Sequence, residues 1–490
     1  MQSTENLKTK TVKSLGVVSV AQFFVRTVEI SKNIVLARIL LPEDFGIVAI
    51  ALFITELLRQ MSTPIFQSAL IQKKNANERD INAGFTFGLI SSLIAFVVLA
   101  LIANLYDEFF HYTNIKFVVN VTSVYVILAT IGFVPEVTLT RQLDFKRLVY
   151  IEGIAVICGA SISIVMAYLG LGFWSIIAGI VLRLIFYHIF LFFYYISKIK
   201  IRLVFDVVIA KDLFLFGRHI LLMSLLVFLV NKMPDVIIGQ ILGVTAVGYF
   251  VLANRWGNII TSELIQLFGR VLFPVFSSIQ DRPAILKSGY LKSLKLLSLI
   301  IFPATFGLAA IAPEFVVFLF GEKWRPAVVP LQILCFSGLL RSLTLIGGEA
   351  RKAIGRPDLT NICILLRFVA LFSLLIPFSL MFGLIGASLA VLVASFVTCI
   401  VWILIDVRLF KISISEFVSS FKHPLLGSVI MLFSIILSRL VLTGIIDEGL
   451  MLFTLVTVGA VVYCIYSWIS YPELRGILSE SLTPIFHGKP

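Results

Sequence analysis

The chain has 490 residues, 59% of them hydrophobic and 14% charged, where soluble domains run at roughly 45–50% and 25%. A water-soluble globular fold is excluded. The formal charge of +13 does not point to nucleic acid, because Lys and Arg are dealt out between apolar runs instead of gathering on one face.

The first dozen residues, MQSTENLKTKTV, are polar and basic, and the apolar stretch after them carries Arg26, Glu29 and Lys32 without a small-residue cleavage signal. No cleaved signal peptide is expected, so the first helix stays in the mature protein. A bilayer-spanning helix needs about 20 apolar residues; at about 35 residues per helix and loop the chain has room for about 14 spans. Hydropathy places them at 14–38, 45–71, 82–105, 117–139, 149–169, 172–196, 213–241, 246–272, 291–312, 327–347, 360–381, 383–405, 424–443 and 450–470. The hinges LGLG (Leu169 to Gly172) and FGLIG (Phe382 to Gly386) separate two pairs that would otherwise be too long for one crossing. The fold class is an all-α polytopic membrane protein of about fourteen transmembrane helices.

Each span reverses the side of the next loop, so charge tests the map. Lys and Arg number about 25 on the side of the N-terminus and about five on the other, the asymmetry left by cytoplasmic retention of basic loops. Lys73, Lys74 and Arg79, then Arg141, Lys146 and Arg147, then Lys198, Lys200 and Arg202 lie on the richer side. Both termini are expected in the cytoplasm.

The largest polar stretches, around 197–212, 279–292 and 406–423, have under about 20 residues, too few for an independent domain. There is also no GxxxxGK[ST] phosphate loop, and neither an enzyme nor a cofactor is expected. Cys158, Cys335, Cys363, Cys399 and Cys464 fall in apolar stretches with no CxxC pair and read as small buried hydrophobes. With no HxxxH or HExxH spacing no metal is expected, and the lone His188 and His219 read as packing residues before titrating ones.

An internal repeat runs at an offset of 202 residues: NIVLARILLPEDFGIVAI from Asn33 aligns with DVIIGQILGVTAVGYFVL from Asp235, placing Ile39-Leu40 over Ile241-Leu242 and Gly46 over Gly248. The start of the second span thus lies on the start of the eighth. Six spans per repeat is an even number, so both halves insert the same way, related by an axis along the membrane normal. The expected division is an N-terminal six-helix lobe (1–200), a second six-helix lobe (201–410), and two further helices with a cytoplasmic tail (411–490).

Charges in the hydrocarbon cost about 2.5–3.5 kcal/mol each on lenient scales and face a bundle interior or a wet cavity. Gln22, Arg26, Glu29 and Asn33 form one stripe on the first span; Glu56, Gln60, Thr63 and Gln67, with Arg59 beside them, form another on the second. Ser224, Asn231 and Asp235 on span seven, and Arg255, Asn258, Ser262 and Gln266 on span eight, repeat the pattern. The plainer reading makes Arg26–Glu29 and Glu56–Arg59 intrahelical ion pairs that only neutralise each other. Arg26, Arg59, Arg183, Arg255, Arg341 and Arg367 outnumber the acids at similar depth, Glu29, Glu56 and Asp235 with Glu136 and Glu263 at the margin. A cationic excess suits an anionic passenger, since Arg binds phosphate or carboxylate bidentately. Arg341 and Arg367, nearer the inner ends of their helices, read equally well as interface anchors.

Several segments carry a family resemblance: LARILLPEDFGIVAIA (Leu36 to Ala51), RQLDFKRL (Arg141 to Leu148), LGFWSIIAG (Leu171 to Gly179), DVIIGQILG…VGYFVLANR (Asp235 to Arg255), VLFPVFSSIQ (Val271 to Gln280), LFGEKWRPA (Leu319 to Ala327) and AIGRPD (Ala353 to Asp358). In order and spacing they resemble the polysaccharide-transporter, or oligosaccharide flippase, branch of the multidrug/oligosaccharidyl-lipid/polysaccharide exporter superfamily, of the lipopolysaccharide or colanic-acid exporter type. The resemblance implies two six-helix lobes around a cavity and extra C-terminal helices. It also implies alternating-access movement of an undecaprenyl-diphosphate-linked oligosaccharide across the bacterial inner membrane for surface polysaccharide assembly. Membrane lipid and a polysaccharide polymerase are the other partners it suggests. No family functional residue is carried over, since no diagnostic motif matches residue by residue. On this reading Arg26, Arg59, Arg183 and Arg255 are candidates to bind phosphates or acidic sugars, and Glu29, Glu56 and Asp235 to couple cations or supply counter-charge. The rival readings are a cation-coupled multidrug exporter of the same architecture, which an acid-dominated cavity would favour, and a non-transporting scaffold for lipid-linked precursors.

Overall fold

The computed structural model describes residues 2–73, 75–110, 112, 115–195 and 201–470. Lys74, Lys198, Lys200 and the C-terminal tail lie outside the described residues, and the side chains of His219 and Gln266 outside the described side chains. Every regular element among the described residues is a helix: α1 (Gln2–Ile39), α2 (Pro42–Gln60), α3 (Thr63–Gln72), α4 (Glu78–Phe110), α5 (Ile115–Leu128), α6 (Phe133–Arg141), α7 (Phe145–Tyr168), α8 (Phe173–Tyr195) and α9 (Val207–Leu242). They continue as α10 (Val244–Gly257), α11 (Ile259–Ser278), α12 (Pro283–Ala310), α13 (Ala312–Phe320), a 3₁₀ turn (Glu322–Ala327), α14 (Val328–Ala353), α15 (Pro357–Leu409), α16 (Ile414–Leu442) and α17 (Glu448–Ser470).

By length and composition nine described helices can cross a bilayer, or eleven if each bent pair counts as one span, with α15 counted once. The single spans expected at 45–71 and 117–139 are bent pairs instead, α2 with α3 at 44° and α5 with α6 at 50°. Many helices also run past the apolar stretch, as α4 does on both sides of 82–105, because backbone hydrogen bonding does not stop where hydropathy falls. Both expected hinges are present. α7 ends at Tyr168 and α8 starts at Phe173, and α15 breaks at Gly383, with φ 59° and ψ −137°. That conformation is open to glycine and costly for other residues. As one rod the 53 residues of α15 would extend about 80 Å, against a hydrocarbon thickness of about 30 Å; residues of both its limbs instead line one pocket.

Side-chain distribution is inverted relative to a soluble bundle. α4 buries Gly84, Thr86, Gly88, Ser92, Ala95 and Ala103 and exposes Leu93, Val97, Leu101 and Leu105. Small residues let helices approach closely, and large apolar ones face lipid. Hydrogen bonds then link neighbours: Thr55 with Thr122 at 2.9 Å, Thr63 with Ser92 at 3.1 Å, and Ser337 with Ser395 at 2.8 Å. The protein is a multi-pass helical membrane protein.

The chain forms two compact units, Met1–Gly248 and Tyr249–Pro490. In the first, Ile65, Phe66 and Leu70 of α3 pack with Phe133 and Val137 of α6 and Leu213 of α9. α9 lies on α2, α3 and α4, so the packing boundary follows α9, whereas the boundary at 200/201 follows the sequence repeat. In the second unit Phe276, Tyr290, Leu294, Leu297, Ile346 and Phe417 centre one core. There α16 begins with a capping box, Ser413 Oγ accepting from the Glu416 amide at 3.1 Å and the Glu416 carboxylate from the Ser413 amide at 2.7 Å. α16 and α17 pack on α12 and α13, and Arg439 pairs with Glu314 at 2.6 Å.

The repeat has a physical counterpart inside the first unit. A Cβ on Gly46 would overlap the Val244 carbonyl oxygen, and one on Gly248 the Pro42 carbonyl oxygen. Pro42 and Val244 are the first residues of α2 and α10 and are repeat mates at the offset of 202, so the contact is reciprocal, as a local twofold requires.

Candidate functional site

Small residues aim the first charged group. A Cβ on Gly159 of α7 would lie 2.7 Å from both the Gly179 carbonyl oxygen and the Arg183 Cβ, so α7 and α8 pack backbone to backbone. From that contact the Arg183 guanidinium donates to Glu29 of α1 and to Glu152 of α7, each at 3.0 Å. Glu29 also accepts from Lys32 at 2.9 Å.

On α2, Nε and Nη2 of Arg59 both reach Glu56 at 2.8 Å, and the guanidinium lies 5.8 Å from the Tyr125 ring centroid of α5. Glu136 of α6 hydrogen-bonds Gln67 and is within electrostatic reach of Arg59 and Glu152. The pairs join into one cluster. The Arg59 and Arg183 side chains remain 28% and 30% exposed, so neither guanidinium is sealed by its carboxylate partners. A guanidinium with a free edge can take a further oxyanion.

The bend that separates α2 from α3 leaves Gln60 beside α9, where Ser224, Asn231 and Lys232 share an open groove of about 800 Å³ with it. Ile220, Met223, Val227 and Phe228 supply its apolar wall. The polar stripes expected on spans two and seven thus meet, and the groove is amphiphilic. Asp235, 2% exposed, sits below it on α9 with the Lys232 ammonium at 3.5 Å. Where α4 gives way to α5, burial and a 2.8 Å hydrogen bond to Glu43 push the Tyr112 phenol up to about 12, so it donates throughout the physiological range.

Arg26 and Arg255 are exposed, Arg26 in the first unit with Arg59, Arg183, Glu29, Glu56 and Asp235, and Arg255 in the second. The sequence overlooked Glu152, a lone acid in VYIEGIAV, and Lys232, which the stripe on span seven passes by. In the first-unit cluster carboxylates and cations interleave: Glu29, Glu56, Glu136 and Glu152 lie with Lys32, Arg59 and Arg183. His188 is buried, stacked edge-on to Tyr187 at 5.2 Å and pressed against Gly132.

Residues 35–329 match the profile of a family described as polysaccharide biosynthesis protein. An uncharacterized membrane protein in the cps region of Klebsiella pneumoniae is 24% identical over 488 residues, which is 97% of this chain and 99% of its own. The lipopolysaccharide biosynthesis protein WzxC of Escherichia coli strain K12 is 25% identical over 359 residues, 72% of each chain. Among solved structures, the lipid II flippase MurJ in an inward closed conformation covers 94% of this chain and 99% of its own, with a TM-score of 0.73 at 18% identity, a likeness of fold.

Proposed function

The chain belongs to the polysaccharide biosynthesis protein family, and from that premise we propose that it is a flippase for a lipid-linked oligosaccharide. The cargo is an undecaprenyl-diphosphate-linked unit for surface polysaccharide, carried by alternating access from the inner to the outer leaflet of the bacterial inner membrane. The observation that carries this is the amphiphilic groove along α9, with its apolar wall and its Gln60, Ser224, Asn231 and Lys232; Arg59, paired with Glu56, immediately precedes Gln60 on α2. A sugar diphosphate on a polyprenyl tail has the same two-sided chemistry.

Arg26, Arg59, Arg183 and Arg255 are assigned the phosphates or acidic sugars. Diphosphate oxygens would compete with Glu56 for Arg59 and with Glu29 and Glu152 for Arg183, since phosphate offers the same bidentate acceptor geometry with more charge. Glu29, Glu56 and Asp235 then hold the counter-charge, or a coupling cation, while the site is empty. Lobes 1–200 and 201–410, with 411–490 appended, are the bodies proposed to rock, the division that the sequence repeat at an offset of 202 residues suggests. The basic-loop asymmetry supports cytoplasmic termini, and a polysaccharide polymerase is the natural consumer of the product.

Charge reversal tests the assignment. Arg59→Glu and Arg255→Glu, made singly, are expected to cut transfer about 10- to 100-fold, the loss of one charged hydrogen-bonding contact of about 1.5–3 kcal/mol. Lipid-linked sugar accumulating on the cytoplasmic side of cells measures it. Undiminished flux in both variants removes these arginines from the site.

One observation favours the multidrug-exporter reading, the four carboxylates Glu29, Glu56, Glu136 and Glu152 in the first-unit cluster. If cells lacking the protein lose efflux of organic cations and accumulate no lipid-linked sugar, that reading replaces the flippase.

A further inference from the structure

In the second unit a pocket of about 140 Å³ lies between α14 and the two limbs of α15, several times the space one water needs. Arg341 of α14 and Arg367 of the first limb both line it, together with Thr344, Thr398 and Trp402. Both arginines are half-buried, so the pocket communicates with the surface of the unit. Nε of Arg367 is buried without a partner, and among the described residues no carboxylate pairs with either guanidinium.

Asp406, four residues beyond Trp402 on the second limb, is held by Arg351 and by the Tyr290 hydroxyl at 3.0 Å. Trp402, the shared wall, is itself covered by the Arg351 guanidinium at 3.7 Å. Thr344 and Thr398 donate to the carbonyls of Arg341 and Ala394 at 2.7 and 2.6 Å. Their hydroxyl protons are therefore committed to the backbone, and the guanidiniums supply the pocket's donors. Two like charges in one narrow pocket between membrane-spanning helices are unfavourable until an anion joins them, and paired guanidiniums match the oxygens of a phosphate group.

We propose that Arg341 and Arg367 form an anion site in the second unit that takes a phosphate oxyanion, either free phosphate or the headgroup of an anionic phospholipid. The site is independent of the sugar-lipid assignment: it uses none of the groups given to that cargo, and its test does not read transport.

The full-length protein in phosphatidylcholine nanodiscs is titrated with inorganic phosphate against chloride at equal ionic strength, and separately reconstituted with added phosphatidylglycerol, with Tm read in each case. A wild-type Tm that rises with phosphate identifies the free anion; one that rises only with phosphatidylglycerol identifies the lipid headgroup. In either case Arg341→Gln and Arg367→Gln are each expected to weaken the response about tenfold or more, the loss of one bidentate charged contact. Without either anion Arg367→Gln is expected to melt above wild type, because the repulsion is gone, and with the anion below it. Equal responses in wild type and the double variant overturn the proposal. Should the glutamine variants fail to fold, native mass spectrometry of wild type decides: retention of phosphate or phosphatidylglycerol supports the site, and retention of neither overturns it.

Discussion

Asp406→Asn is expected to be among the most destabilising single substitutions in this protein. Arg351 is fully buried and Asp406 is 2% exposed, and the carboxylate ties α14 to the second limb of α15 through Arg351 and to α12 through Tyr290. Asparagine keeps the shape and removes the charge, stranding a guanidinium that has no water to turn to. Breaking a buried pair from one side costs about 3–5 kcal/mol, which in a unit of this size corresponds to a fall in Tm on the order of 10 °C. The measurement is thermal unfolding of the detergent-solubilised protein at a fixed scan rate. Replacing both partners and the hydroxyl they hold, Arg351→Met with Asp406→Leu and Tyr290→Phe, is expected to recover most of the loss, since a matched apolar set carries no desolvation cost and strands no donor. If Asp406→Asn melts with wild type, the pair does not hold the unit together. Gly347→Ala belongs to the same test, because its Cβ would overlap the Asp406 carboxylate.

The second large effect is expected at Gly46 and Gly248. Each lies one turn inside its helix and faces the carbonyl of the other repeat's first helical residue, so no rotamer choice makes room for a side chain. Overpacking of this kind costs typically about 1–3 kcal/mol, and here it must be met by parting the α2 and α10 backbones. Gly46→Leu and Gly248→Leu are expected to reach the membrane at reduced yield and to lose most transport, with the alanine variants intermediate. The two singles should match each other, and the double should cost less than their sum, because helices already separated by one side chain accommodate the second. Yield and lipid-linked sugar accumulation in cells give both readouts. Alanine variants that behave as wild type would show that the crossing tolerates separation.

Much of the fold was legible because it rests on local chemistry. Runs of about 20 apolar residues require helices in lipid, and LGLG and FGLIG marked two breaks at which Gly170, Gly172 and Gly383 take positive φ. The repeat could be read from Gly46 over Gly248 with few matched residues, and the structure supplies the reason both are glycine. Where the reading fell short, hydropathy was the wrong signal. The bend at Met61-Ser62 lies within the polar stripe of Glu56, Gln60, Thr63 and Gln67, just before Pro64, and the one after Leu128 lies just before Gly132 and Pro135; hydropathy averages over a window and does not register a change of direction. α13 and the 3₁₀ turn fill the stretch between the expected spans at 291–312 and 327–347; hydropathy could mark that stretch only as lying between spans.

The candidate site was legible as residue types and illegible as partnerships. Stripes at helical spacing identified Glu29, Glu56 and Arg59, and the intrahelical pair Glu56–Arg59 could be read directly because its spacing is i, i+3. Arg183 meets Glu29 across 154 residues of chain, and Arg351 meets Asp406 across 55. Neither distance is set by any period in the sequence.

The sequence by itself determined that this is a polytopic helical membrane protein with repeat-related helix starts, because bilayer cost and helical periodicity act residue by residue along the chain. The tertiary structure alone decided which charges are neutralised and which stand open. That choice depends on how closely helices approach, at Gly159 against Gly179 and at Gly347 against Asp406. It is there that the desolvation of a charge and the supply of its partner are fixed together.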